Sequence, residues 1–123
     1  MAARQRQTYG EEVANVLTHG AGMLFGMTAI IVLMMAAIRS GNPWAIGSFA
    51  VYAVCMTLSY VTSTFYHAST HARQKRLLRR FDHGAIYLHI AGTYTPFTLL
   101  ALRQEGYWGW SLFAVIWLSL IHI

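Results

Sequence analysis

Charge is scarce in this 123-residue sequence: Asp, Glu, Lys and Arg together make up 11%, less than half the roughly 25% usual in soluble domains. Only four residues are acidic. Cysteine occurs once, at Cys55, which excludes a disulfide scaffold. The sequence has no C-x-x-C pair and no Gly-rich phosphate loop. Apolar residues fill the chain instead, the AVILMFWYC set reaching 56% with a mean hydropathy of +0.42. That composition excludes intrinsic disorder. A globule this small has too little interior to hide so much apolar surface. The chain reads as a polytopic, all-α membrane protein.

The uncharged runs mark its spans. Residues 1–12 form a polar tail, and residues 13–38 carry no Asp, Glu, Lys or Arg, enough to cross a core that needs about 20 residues. That run is too long for the roughly 7–15-residue apolar core of a signal peptide, so it reads as a retained helix. Gly41 and Pro43 break it. A second uncharged run covers residues 44–66 and closes at His67. A basic connector follows, then a third span over about residues 84–102, a loop at residues 103–106 and the start of a fourth span at residues 107–117. Three complete spans and part of a fourth are expected.

Nine Lys and Arg stand against four Asp and Glu, and their distribution favours lipid over nucleic acid. Arg73, Lys75, Arg76, Arg79 and Arg80 crowd into one connector, the pattern of a cytoplasmic segment meeting anionic headgroups at about 1 kcal/mol per charge. With the amino terminus inside, those five join Arg4 and Arg6, leaving Arg39 and Arg103 outside. The positive-inside rule then gives a multi-pass protein of the cell membrane with a cytoplasmic amino terminus. Arg73, Arg76 and Arg80 share a helical face, so a short interfacial amphipathic turn accounts for the connector.

Ionisable groups within spans are expensive and face a bundle interior or a cavity. Glu12, Asn15 and His19 fall at i, i+3 and i+7 on one face, and Gly22 and Gly26 extend that stripe at the G-x-x-x-G spacing that admits a neighbouring helix. Asn15 and His19 read either as polar glue between helices or as part of a site. Ser59, Ser63 and His67 project from one side of the second span, and Asp82, Ile86, His89, Thr93 and Pro96 line one side of the third. His67 and Asp82 are expected at one depth on the cytoplasmic rim. Two polar faces converging there suit a metal or proton site, since neutral imidazole is the commonest metal ligand. His71 completes an H-x-x-x-H pair with His67 but falls where the basic connector begins, and is expected to be solvated.

Taken together, Glu12-x-x-Asn15-x-x-Thr18-His19-Gly20, Ser63-x-x-x-His67, Arg79-Arg80-Phe81-Asp82-His83 and Ala91-Gly92-Thr93-Tyr94-Thr95-Pro96 resemble the hemolysin III family. That family is related to the progestin and adiponectin receptors, and the resemblance covers nearly the whole chain. It implies a seven-helix bundle in which His67 is a zinc ligand, Ser63 its companion one turn earlier, and Asp82 an acid beside the metal. The family's two further ligands come from an H-x-x-x-H near its last helix, so the chain reads as an amino-terminal fragment carrying one ligand of three.

Three functions are compatible with the resemblance. A zinc-dependent hydrolase would use His67, Asp82 and Ser63 on a lipid amide or ester. A cytolytic, pore-forming protein is the activity implied by the family's name. A receptor-like regulator of membrane lipid state would hold zinc structurally, in a closed coordination shell instead of an open one. Residues 118–123 spell what CTG TCT CTT ATA CAC ATC encodes, a common transposase sequencing adapter. The natural sequence is therefore expected to end near Trp117, the alternative being an ordinary apolar helix segment, and His122 is assigned no role.

Overall fold

A computed structural model describes residues 8–122 of the chain; Arg4 and Arg6 lie outside the described residues. It is helical, with no strand among the described residues. Helix α1 spans Tyr9–Ser40, α2 Pro43–Ala68, α3 Ala72–Pro96 and α4 Trp108–Ser119. The first two are long and apolar enough to cross a membrane.

Local chemistry sets their limits. Helix α1 begins four residues before the apolar run because Thr8 and Glu11 form a capping box. The Thr8 N–H donates to Glu11 Oε2 at 2.6 Å, and the Glu11 N–H donates to Thr8 Oγ1 at 3.3 Å. Gly41 ends α1 in the left-handed region at φ 64°, its N–H donating to the Ile38 carbonyl. Asn42 then caps α2 by accepting from the Trp44 N–H at 3.0 Å, and Pro43 occupies the first helical position, where no N–H is needed.

The basic segment departs from expectation. It is not a connector: only residues 69–71 lie between α2 and α3, and Arg73 to Arg80 form the first turns of α3, continuous with the apolar stretch. Arg, Lys, Gln and Leu are all good helix formers, so nothing in the segment breaks the helix that an interfacial turn would have started.

Packing is inverted relative to a soluble protein. The buried positions are small or polar: Ala37, Ala45, Ser48, Cys55, Ala85, Ala91, Thr95 and Thr98, with Met56 the largest. Large apolar side chains point outward, as Phe25 does at 80% exposure and Leu17 and Leu24 at 67%. Helices that associate within lipid pack through small residues, because lipid already solvates the large ones. Helix α2 is the centre, with α1 on one flank and α3 on the other. At Gly22 and Gly26 the α1 backbone comes so close that an added Cβ would meet Tyr60 at 2.6 Å and overlap the end of the Met56 side chain. Gly92 does the same for α3, where a Cβ would lie 2.5 Å from Cys55 Cβ.

Pro96 closes α3 because it has no N–H for the Gly92 carbonyl. The chain widens there into a π-helical turn, Phe97–Ala101. Hydroxyls take up nearby carbonyls, Thr95 donating to Ala91 at 2.8 Å and Thr98 to Tyr94 at 3.1 Å. Helix α4 leans on this end, held by the Trp117 indole N–H, which donates to Thr95 Oγ1 at 3.1 Å. Trp44 and Trp110 meet edge to face at 5.7 Å, and the Arg103 guanidinium lies 4.4 Å over the Trp44 ring.

Candidate functional site

The opposite end of the bundle is the polar one. The glycine contacts press α1 onto α2, so the stripe that precedes Gly22 must meet the last turns of α2. Glu12, Asn15 and His19 all do so at a single residue, His67. Its Nδ1 lies 2.7 Å from Glu12 Oε2 and 3.4 Å from Asn15 Nδ2, and its ring stacks on that of His19 at 5.7 Å with 27° between planes. Tyr66 packs against it at 4.7 Å.

Glu12 is forked between two helices. While Oε2 faces His67, Oε1 accepts from Lys75 Nζ of α3 at 2.5 Å. The ammonium also lies 5.3 Å from the Tyr66 ring centroid. Side-chain exposure is 9% for His67, 18% for Glu12 and 28% for Lys75, so the pair is only partly screened by solvent. An ionised carboxylate only accepts hydrogen bonds, so the Glu12 contact places a hydrogen on His67 Nδ1. Asn15 Nδ2, also a donor, then packs beside that bond without joining it. In the neutral ring Nε2 keeps the lone pair.

Ser63 and Asp82 are both buried, at 5% and 8%. Their relative level follows from the antiparallel register of α2 and α3. Gly92 faces Cys55 and the Tyr52 backbone, so ten residues back along α3 corresponds to ten forward along α2, which brings Asp82 level with residues 62–65. Asp82 is thus abreast of Ser63, at the same end of the bundle as His67. His83 turns away: it is 59% exposed, with Nδ1 3.5 Å from Asp82 Oδ2. His71 is exposed at the N-cap of α3, as expected. Among the described residues, no group of three or more His, Cys, Asp and Glu is placed to hold a metal ion.

The polar stripe of α1 thus meets the S-x-x-x-H end of α2 at one rim of a helical bundle, and the buried aspartate of α3 lies toward the same end. The family model described as haemolysin-III related matches residues 7–122. The chain belongs to that family. Haemolysin-III relatives reproduce the match in curated sequences: Hemolysin-3 of Bacillus cereus is 46% identical over 114 residues, covering 93% of this chain and 51% of that protein. The Hemolysin-3 homolog of Bacillus subtilis (strain 168) is 44% identical over 110 residues, covering 89% and 51%. The chain therefore spans about half the length of these haemolysin-III proteins. No solved structure matches it.

Sequence reasoning grouped Lys75 with the cations expected to face lipid headgroups and missed its pairing with Glu12. A signal was available: Glu12 is the acidic residue nearest an apolar run, and an ionised carboxylate at such a depth needs a cation. The basic residues that open α3 are the cations nearest it in the topology.

Proposed function

We propose that this chain is the amino-terminal part of a multi-pass haemolysin-III protein that holds zinc near the cytoplasmic face and hydrolyses a lipid amide or ester. The observation that carries the reading is His67: Nδ1 is engaged by a carboxylate, so the neutral ring offers the Nε2 lone pair with which histidine ligates metals. Its donor chemistry fits zinc, which takes histidine nitrogen. The remaining ligands belong, on this reading, to the part of the relatives' length that the chain does not span.

Zinc bound there supplies a Lewis acid that polarises the substrate carbonyl. The other roles fall to side chains of this chain. Asp82, buried in α3, accepts the proton of the attacking water and returns it to the departing amine or alkoxide as the acyl bond breaks. The Ser63 hydroxyl, level with Asp82, donates to the oxyanion that develops on the carbonyl. The substrate enters from the lipid, which bathes the large apolar side chains of all four helices. Orientation follows the basic start of α3: Arg73, Arg76, Arg79 and Arg80 are exposed and set that rim against anionic lipid on the cytoplasmic side.

Lipid hydrolysis by the protein of the whole reading frame, reconstituted in vesicles with and without zinc, tests the reading. Loss of zinc-dependent product release in His67→Ala and Asp82→Asn is expected, and unchanged turnover in both contradicts it.

A further inference from the structure

We infer that Glu12 is the positioning residue of the zinc site, its carboxylate orienting His67 through Nδ1 while Lys75 fixes that carboxylate in place. The inference rests on the zinc reading of His67. Three observations carry it. Glu12 Oε2 lies 2.7 Å from His67 Nδ1, a normal hydrogen-bond distance. Its other oxygen, Oε1, is taken by Lys75 Nζ at 2.5 Å, so the carboxylate cannot swing away without breaking a charge-assisted bond. Glu12 comes from α1, His67 from α2 and Lys75 from α3, so the orientation of one imidazole depends on the docking of all three helices.

The chemical consequence follows from imidazole. A ring whose Nδ1–H is held by a carboxylate is fixed in rotation and in tautomer, and its Nε2 becomes a stronger donor to a metal. Stacking against His19 at 5.7 Å limits the remaining tilt. Without Glu12 the ring can rotate, and either nitrogen can carry the hydrogen.

The test is zinc affinity, measured by competition with a chromophoric chelator on the detergent-purified protein of the whole reading frame. Glu12→Ala is expected to weaken zinc binding by about 10–100-fold, the usual effect of removing such an outer partner. Glu12→Gln keeps an oxygen that accepts from Nδ1–H, and is expected to recover most of that loss. Thermal unfolding of the zinc-free proteins separates positioning from stitching: both variants lose the ion pair with Lys75, and the gap in zinc affinity between them is expected to exceed any gap in their stability. Two results overturn the inference while leaving the zinc reading intact. One is wild-type affinity in Glu12→Ala when His67→Ala has lost zinc, and the other is a Glu12→Gln variant as weak as Glu12→Ala. A wild-type protein that binds no more zinc than His67→Ala overturns both.

Discussion

His67 and Glu12 are 55 residues apart in the chain, yet Nδ1 of one and Oε2 of the other meet at 2.7 Å. That contact is possible because α1 and α2 are joined by a turn of only two residues, Gly41 and Asn42, and because glycines let the two backbones approach along the same face. A polar rim is thereby built on helices whose outer surfaces are apolar.

The helix approach itself is open to test. Gly92→Ala would set a Cβ 2.5 Å from Cys55 Cβ, a contact that neither rigid helix can relieve by a rotamer change. It is expected to destabilise the bundle by about 1–3 kcal/mol. Gly84 lies in the same helix with nothing within 4 Å of its added Cβ, so Gly84→Ala is expected to be neutral or to stabilise by up to about 1 kcal/mol. Detergent unfolding curves of the two variants check the contrast, and equal effects would count against the described packing.

Much of this was legible in the sequence, for reasons that differ between residues. The spans of α1 and α2 follow from uncharged runs, and the stripe of Glu12, Asn15, His19, Gly22 and Gly26 from helical spacing alone. The extra turns at the start of α3 were hidden by their charge: Arg73 to Arg80 read as a connector, although their helix propensity is high. Glu12's partners were hidden for another reason. Spacing reports which residues share a face of one helix, but the ion pair with Lys75 depends on how three helices dock, and docking leaves no period in the sequence. The same holds for the level of Asp82 with Ser63, which is set by Gly92 against Cys55.

The exposed cations at the start of α3 do not act as one group. Neutralising Arg73, Arg76, Arg79 or Arg80 is expected to reduce selectivity for anionic over zwitterionic lipid by about 1 kcal/mol each. Lys75→Gln is expected to leave it unchanged, because that ammonium is bound to Glu12 at 2.5 Å. Spin-labelled lipids in mixed vesicles read the selectivity directly. An equal loss in Lys75→Gln would show that Lys75 faces the headgroups.

Helix α4 is tied to α3 by one side-chain hydrogen bond, from the Trp117 indole to Thr95 Oγ1 at 3.1 Å. Trp117→Phe keeps most of the ring and removes the donor. Thr95 still donates to the Ala91 carbonyl at 2.8 Å, so no buried donor is orphaned and the cost is expected to be about 0.5–1.5 kcal/mol. Hydrogen exchange is expected to quicken in α4 and to stay unchanged in α1 and α2. Faster exchange in all three helices would contradict that local role.

The central claim is that His67 ligates zinc, and the nearby His71 supplies its control. The two are four residues apart, but His67 has a side chain only 9% exposed, with Nδ1 held by Glu12, while His71 is exposed at the N-cap of α3. Zinc stoichiometry of the purified protein of the whole reading frame, by elemental analysis after removal of loosely bound metal, is the most direct measurement. The account predicts about one zinc per chain in the wild type and in His71→Ala, with one tetrahedral site completed by ligands beyond this chain. It predicts none in His67→Ala. Zinc retained at full stoichiometry in His67→Ala would contradict it.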